Sequence, residues 1–310
     1  MKLKRHHKWI ACLACLLCAQ VAYSAGKMWW ISRQHADLFA EIRDGGGEVD
    51  VVARGRMWPW HLGPAVQVQL NRTAADDRLV QRIADIADLE ELELNETQIT
   101  DAALRHLTPC RRLYILRLDD TAITDAGAAD LGRMTQLKSL YLIGTRITDT
   151  GVSQLAGLIQ LRDLDLSRTA ITDASLVHLK LMRKLIDLEL NDTAITDRGL
   201  QHLTQLPQLK DLDLNGTLVG DAGITEIRDL KNLEELELSG TAVTDAGLVA
   251  LHGFPVLDEL ELADTQISDA GVRHLHACRR LENLNLSQTA ITPTAEKALQ
   301  AALPRLRIQR

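Results

Sequence analysis

Leucine recurs every 24 residues along most of this chain. Nine leucines share that spacing, from Leu92 through Leu284, and each stands in an L-x-x-L-x-L segment. Nine copies in one register are not a chance arrangement. The chain is therefore expected to fold as a stack of similar units, in which each unit buries its apolar side chains against its neighbours.

Each unit predicts a short strand followed by a turn and a short helix. In the segment LEELELSGTAVTDAGLVALHGFPV, residues 233–256, apolar residues alternate at the front and recur every three to four positions behind. A degenerate unit lies upstream, so the repeats begin near Ala65. Leu303, Leu306 and Ile308 predict one more strand, arriving two residues early. These patterns give an α/β solenoid of about ten units.

This pattern resembles the leucine-rich repeat family. The position that is usually Asn or Cys in that family is Thr in all ten units here, from Thr73 to Thr289. In this respect the sequence is similar to a Thr-type subclass of exported bacterial proteins. The resemblance covers residues 65–303. It implies a horseshoe with a parallel sheet on the concave face and short helices on the convex face, similar to ribonuclease-inhibitor-type repeats that grip proteins with the concave side.

Two further columns of residues have structural explanations. Nine units carry Asp where the tenth carries Pro293, which predicts the first helical position, because proline needs no amide hydrogen there and Asp faces the positive helix end. The preceding Thr, Ser, Asp or Gly is then the N-cap. The Thr column, from Thr73 to Thr289, is expected to bond backbone groups of neighbouring units.

The N-terminus predicts export. Lys2, Lys4, Arg5 and Lys8 precede an apolar stretch over residues 9–26. Ala22 and Ser24 fit a cleavage site, whereas Trp29 and Trp30 fit the membrane interface of an uncleaved anchor, and both alternatives stay open. In either case the repeat domain is expected outside the cytoplasm, single-pass membrane-anchored, or secreted or periplasmic if the signal is cleaved.

The chain divides into four predicted parts. Residues 1–31 are the export signal or anchor, 32–64 a juxtamembrane cap, 65–303 the repeat domain, and 304–310 a strand remnant. In the cap, a helix is expected around 34–43, a strand over 48–53, and a covering loop over 57–64.

The charge balance limits the partners. The formal net charge is −7, and removing the four cations of residues 1–8 leaves −11. Such an acidic domain disfavours nucleic acid and anionic lipid surfaces and favours cationic partners.

Cys110 and Cys278 are predicted to be buried apolar residues that fill the core. They are seven units and hence roughly 33 Å apart, which is too far for a disulfide. His178 and His202 stack on adjacent units without a third ligand, so neither a metal site nor a cofactor is predicted.

The candidate site is a set of carboxylates on the concave face. The residues that flank and separate the strand leucines point to that face, and 13 of 27 such positions are acidic, whereas Arg117 is the one basic residue. Ten acids form two unbroken columns, with Tyr141 as an aromatic anchor beside them. These are Asp163, Asp165, Asp187, Glu189, Asp211, Asp213, Glu235, Glu237, Glu259 and Glu261.

The columns have three possible explanations. Like charges about 4.8 Å apart repel, and a basic protein or peptide would relieve that repulsion. Weak Ca²⁺ binding is the first alternative, although carboxylates on a flat sheet enclose an ion poorly. The second is a solvated coat on a structural envelope component without a specific ligand. No catalytic motif is present in the sequence, so the chain is predicted to be a non-enzymatic scaffold. The carboxylates form an open ladder without an enclosed site, so their pKa values are expected to be ordinary.

Overall fold

The computed structural model describes residues 25–53 and 64–310. In that part of the chain, twelve strands form one open sheet in sequence order. The strands are β1 Glu48–Ala53, β2 Pro64–Gln69, β3 Leu89–Glu93, β4 Ile115–Arg117, β5 Ser139–Tyr141, β6 Asp163–Asp165, β7 Asp187–Glu189, β8 Asp211–Asp213, β9 Glu235–Glu237, β10 Glu259–Glu261, β11 Asn283–Asn285 and β12 Arg307–Gln309. β1 and β2 are antiparallel, and the later pairs are parallel.

Short helices lie behind the strands. They are α1 Ala36–Asp44, α2 Asp77–Ile83, α3 Asp101–Leu107, α4 Asp125–Leu131, α5 Asp149–Leu155, α6 Asp173–Leu179, α7 Asp197–Leu200, α8 Asp221–Ile227, α9 Asp269–Val272 and α10 Pro293–Ala302. Three segments are 3₁₀-helical, namely Gln201–Gln205, Gly247–Gly253 and Arg273–Ala277. This alternation confirms the predicted solenoid of about ten units.

The 24-residue leucine spacing sets the strand register. Leu92, Leu116 and Leu140 lie opposite one another on neighbouring strands, and each is fully buried. The last strand keeps this register, because Ile308 lies opposite Leu284. The expectation that this strand arrives two residues early was wrong.

The helix N-termini tie neighbouring units together. Asp77 Oδ1 accepts a hydrogen bond from the Thr100 amide at 2.8 Å, and its Oδ2 accepts one from the Thr100 hydroxyl at 2.7 Å. The Thr100 hydroxyl in turn accepts from the Ala102 amide and so caps α3. The same two bonds recur in eight of nine joints. At the ninth, Gly220 supplies its amide to Asp197 but has no hydroxyl.

The Thr column works within one unit, contrary to the prediction. Thr97 Oγ1 donates to the carbonyl of Leu94, three residues earlier in the same unit, at 2.6 Å. All ten column members make this bond. They therefore close the turn after each strand, and the joint between units is made by Asp and the N-cap residue instead.

The N-terminal part packs on the first units. Residues 25–34 are helical, and after a turn at His35 the chain continues as α1. Ile31, Phe39 and Ile42 are buried in the common core, and Lys27 Nζ bonds Asp88 at 2.8 Å. The helix and the strand predicted for this region are thus present. Residues 57–63 of the predicted covering loop, and residues 1–24 of the predicted signal or anchor, lie outside the described residues.

Within 25–53 and 64–310, no helix combines the length and the hydropathy that a membrane span requires.

Candidate binding surface on the concave face

The register brings the ten predicted carboxylates into two straight columns across β6 to β10. The first column is Asp163, Asp187, Asp211, Glu235 and Glu259. The second column is Asp165, Glu189, Asp213, Glu237 and Glu261. The leucine between the two columns on each strand, such as Leu164 or Leu188, points into the core and is at most 2 % exposed. Successive side chains of a strand point to opposite faces, so both columns line the concave surface.

The columns are less exposed than an open surface suggests. Asp165 is 2 % exposed and Asp213 is 8 % exposed, while the other eight carboxylates are half-buried. Asp165 Oδ1 accepts from the Ser167 amide at 2.9 Å, and Asp213 Oδ1 accepts from the Asn215 amide at 2.8 Å. The curvature of the sheet and these local turns hold the second column against its own strands.

Burial and mutual repulsion raise several carboxyl pKa values. Desolvation comes first, and the neighbouring carboxylates add to it: the pKa of Glu189 rises to about 8, that of Asp211 to about 8, that of Glu237 to about 7 and that of Asp187 to about 6. At neutral pH the columns therefore carry fewer charges than their carboxyl count. The expectation that an open ladder leaves these pKa values unchanged was wrong.

Two contacts join carboxyl groups directly. The Glu189 side chain is hydrogen-bonded to Asp165, and that of Asp211 is hydrogen-bonded to Glu235. A carboxylate only accepts, so each contact needs one shared proton. Part of the repulsion within each column is thus relieved by protonation.

The chain provides no counter-charge for the columns in the described part. Its salt bridges lie elsewhere, such as Arg168 with Asp120 at 2.8 Å and Lys210 with Glu234 at 2.7 Å. The salt bridges within residues 25–53 and 64–310 include none of the ten column carboxylates. Amides provide the partners instead, as where Asn285 Nδ2 donates to Glu261 Oε2 at 2.6 Å.

Tyr141 stands at the start of the columns, on β5. The Arg117 guanidinium lies 3.7 Å from the centre of its ring, a stacked cation–π contact. Arg117 also approaches Glu93, with 3.8 Å between Nε and Oε1. Arg117, the one basic side chain at the concave positions of β3 to β11, is therefore already held by an aromatic ring and an acid. The surface divides into a mixed part over β3 to β5 and an acidic part over β6 to β10.

The acids that begin the helices differ chemically from the column acids. Partial burial would raise the pKa of Asp149, but hydrogen bonds from Ser175 and Thr172 outweigh it and lower that pKa overall. Hydrogen bonds from the Thr292 amide and hydroxyl likewise lower the pKa of Asp269. These carboxylates are fixed as ions by structural donors, so they are not free to hold a ligand.

Metal ligands do not gather in the described residues. No group of three or more His, Cys, Asp or Glu side chains in 25–53 and 64–310 has an arrangement that could hold an ion. The two columns run parallel, so their oxygens do not converge on one point. Cys110 and Cys278 are buried and free, and burial raises the pKa of each thiol to about 11.

Sequence reasoning missed one repeated feature beside the columns. The residue after the third concave position has a left-handed backbone in all ten units, with φ from 53° to 69°. Glycine occupies three of these positions, and the others include Asp120, Arg168 and Gln288. The Gly and Asp members were the available signal for this turn.

The comparisons with known proteins agree on the repeat. A family model described as leucine-rich repeat matches residues 229–251. An internalin (inlF) from Listeria monocytogenes superposes with a TM-score of 0.60 at 24% identity, covering 74% of this chain and 69% of that one. The chain carries a leucine-rich-repeat domain.

Two further structures support the assignment of the leucine-rich-repeat fold. A leucine-rich-repeat protein from Leptospira interrogans gives a TM-score of 0.54 at 20% identity, covering 74% of this chain and 62% of that one. A second Listeria monocytogenes internalin (inlC2) gives 0.51 at 27% identity, covering 70% of this chain and 84% of that one. No curated protein sequence matches the chain.

Proposed function

We propose that this leucine-rich-repeat domain is a non-enzymatic scaffold that holds a basic segment of a partner protein on its acidic concave face. The observation that carries the proposal is the absence of an internal counter-charge for ten aligned carboxylates in the described part of the chain. Other acids of the chain are paired with Arg or Lys, for example Asp88 with Arg112. A cationic partner would supply the missing charge and displace the shared protons.

The leucine-rich-repeat fold supports the coarse part of this proposal. Repeat solenoids present extended concave surfaces, and they use these surfaces for binding. The parallel strands hold the carboxylates on rigid backbone, so a partner does not have to order them. The mixed part of the surface, with Tyr141 against Arg117, supplies an aromatic contact next to the charged part.

We further propose that the domain works outside the cytoplasm, tethered by its N-terminal segment. The sequence supports this through the cations and the apolar stretch of residues 1–26. In the described part, Trp29 is 62 % exposed and Trp30 is 53 % exposed, whereas the next residue, Ile31, packs in the core and is 2 % exposed. Exposed paired tryptophans at this position suit a membrane interface.

Matched charge removal tests the binding proposal. One variant neutralises the first column with Asp187→Asn, Asp211→Asn and Glu235→Gln. The control variant replaces the same number of carboxyl groups on the convex side with Asp130→Asn, Glu226→Gln and Asp229→Asn. The two variants therefore have the same formal net charge, counted with every carboxyl ionised.

Both variants and the unmodified protein are used as bait for envelope extracts, and the retained proteins are identified by mass spectrometry. We expect the unmodified and control proteins to retain basic partners that the column variant loses. An identical set of retained proteins for all three baits would show that the columns are a solvated coat.

A further inference from the structure

A small pocket lies where the mixed part of the concave face meets the acidic part. It has a volume of about 300 Å³ and opens beside β4 to β6, at the N-terminal ends of these strands. Ile115 and Ser139 line it from the sheet, and Tyr114, Lys138 and Arg162, which directly precede the three strands, form its side. This volume is at the small end of the range of ligand pockets, roughly 300–1,000 Å³.

The acids of this edge pocket are already bonded. Gln67 Nε2 donates to Glu91 Oε2 at 2.8 Å, and Ser139 Oγ donates to Asp163 Oδ2 at 2.5 Å. Glu90, which also lines the pocket, forms an ion pair with Arg112. Each acid of the pocket therefore already has a donor within the protein.

The cations of the edge pocket have no acidic partner among the described residues. Lys138 Nζ lies 4.5 Å above the Tyr114 ring, and no salt bridge of the described part includes Lys138 or Arg162. Lys210 occupies the equivalent position two units after Arg162, and there the cation is paired with Glu234. Lys138 and Arg162, on neighbouring units, are thus two cationic donors of this pocket that are not paired with an acid in the described residues, and such donors can bind an anion.

We infer that the edge pocket receives the C-terminal carboxylate of the peptide segment that lies along the acidic columns. The carboxylate would bridge Lys138 and Arg162, since charge-assisted bonds to Arg and Lys are the strong hydrogen bonds of such sites. The last side chain of the peptide would pack on Ile115 and the Tyr114 ring. This inference rests on the proposed function and adds to it the direction of the bound segment.

Continuity between the two surfaces supports this direction. Asp163 lines the edge pocket and is also the first member of the first column. From β6 to β10 there are four strand spacings, or roughly 19 Å at about 4.8 Å each. An extended segment of about six residues covers that distance, at about 3.3 Å per residue. Its C-terminus would lie at β5 and β6, with basic residues toward β10.

Three synthetic peptides test the inference by titration calorimetry. All share the sequence KGKGKGK, followed by Leu with a free carboxylate, by Leu with an amide, or by Asp with an amide. The first offers a terminal carboxylate, the second none, and the third a side-chain carboxylate. We expect the free-carboxylate peptide to bind at least about tenfold more tightly than either amidated peptide.

Variants locate the effect in the pocket. The double variant Lys138→Gln and Arg162→Gln should lose the tenfold preference while still binding the amidated Leu peptide. Lys210→Gln is the matched control, because that lysine is paired, and it should keep the preference. Lys138, Arg162 and Lys210 are all exposed, and thermal unfolding will verify that each variant is folded.

Each outcome decides one of the two proposals. Equal affinity of the free and amidated Leu peptides, or a preference that survives the double variant, overturns the inference and leaves the scaffold function in place. An amidated Asp peptide as tight as the free carboxylate overturns the terminal assignment. If none of the peptides binds, the acidic groove itself fails, and the inference fails with it.

Discussion

The substitution Asp211→Asn isolates the electrostatic cost of the columns. Asp211 lies between Asp187 and Glu235 in the first column, and its side chain is hydrogen-bonded to Glu235. Asparagine has nearly the same shape and can donate to Glu235 without a shared proton. The substitution therefore removes one charge from the column and keeps the packing.

The sign follows from the direction of the pKa shift. The pKa of Asp211 is raised by burial and by its neighbours to about 8, well above its value of about 3.9 in an unfolded chain. The folded state then binds more protons than the unfolded state between these values. The stabilisation is complete below pH about 4 and is lost as the pH rises through about 8.

The magnitude follows from the geometry of the column. At pH 9 Asp211 is ionised and faces two neighbours about 5 Å away, each costing about 0.8 kcal/mol in water-like surroundings. Asp211→Asn should therefore stabilise the protein by about 1–2 kcal/mol or more at pH 9, and by clearly less at pH 5, because the folded state already holds Asp211 neutral at pH 5. In thermal unfolding of a chain of this length, about 1–2 kcal/mol corresponds to a rise in Tm of about 2–3 °C at pH 9.

Asp149→Asn is the matched control because it makes the same chemical change at a structural carboxylate. Asp149 accepts from the Thr172 amide at 2.8 Å and from the Thr172 hydroxyl at 2.7 Å. Asparagine leaves the hydroxyl without an acceptor, so this variant should lose about 1 kcal/mol at both pH values. If Asp211→Asn changes stability equally at pH 5 and pH 9, or destabilises at pH 9, the electrostatic argument is refuted.

Three other predictions concern binding, the joints and the thiols. A lysine-rich peptide should bind more tightly at pH 8.5 than at pH 6.0, because carboxyl groups with pKa values raised to about 6–8 must ionise; calorimetry at constant ionic strength measures this, and a pH-independent affinity would contradict it. Gly220→Thr should stabilise the domain by about 1 kcal/mol in urea unfolding by adding the missing hydroxyl bond to Asp197, whereas Gly220→Val, of similar shape, should give no such gain. Cys110 and Cys278 should resist iodoacetamide at pH 8 until the protein is denatured, since burial raises both thiol pKa values to about 11; peptide mapping would reveal early labelling.

The sequence was sufficient for the fold because a strict period carries long-range information. A residue 24 positions later is also the neighbour on the next strand, so the period predicts register as well as strand content. The single Pro293 located the start of the α-helix in nine of the ten described repeat units, and the structure places Pro293 at that position. In the unit of Asp245 a 3₁₀-helix begins at Gly247 instead. The ten carboxylates came from the same alignment, and the structure brings all ten together as two columns.

The properties that depend on tertiary environment were not predictable. The hydrogen bond from the Thr100 hydroxyl to Asp77 depends on the distance between two neighbouring units, and the local sequence pattern does not contain that distance. The raised pKa values depend on how deeply the curvature buries residues such as Asp213, which alternation alone describes as exposed. The edge pocket could not be predicted because it depends on which cations are not paired with an acid. Lys138 and Lys210 occupy the same repeat position, and only the structure shows that Lys210 is paired with Glu234.

The Asp–Thr joint between units makes the length of this domain adjustable. Because the same carboxylate contacts recur from one unit to the next, deletion of one complete 24-residue unit would bring equivalent donors and acceptors together at the new junction. Duplication would do the same. Either event would change the acidic surface by one strand spacing, about 4.8 Å, and leave the cap and both ends of the sheet as they are. Copying or losing units can therefore change the length of the concave surface without redesigning the core.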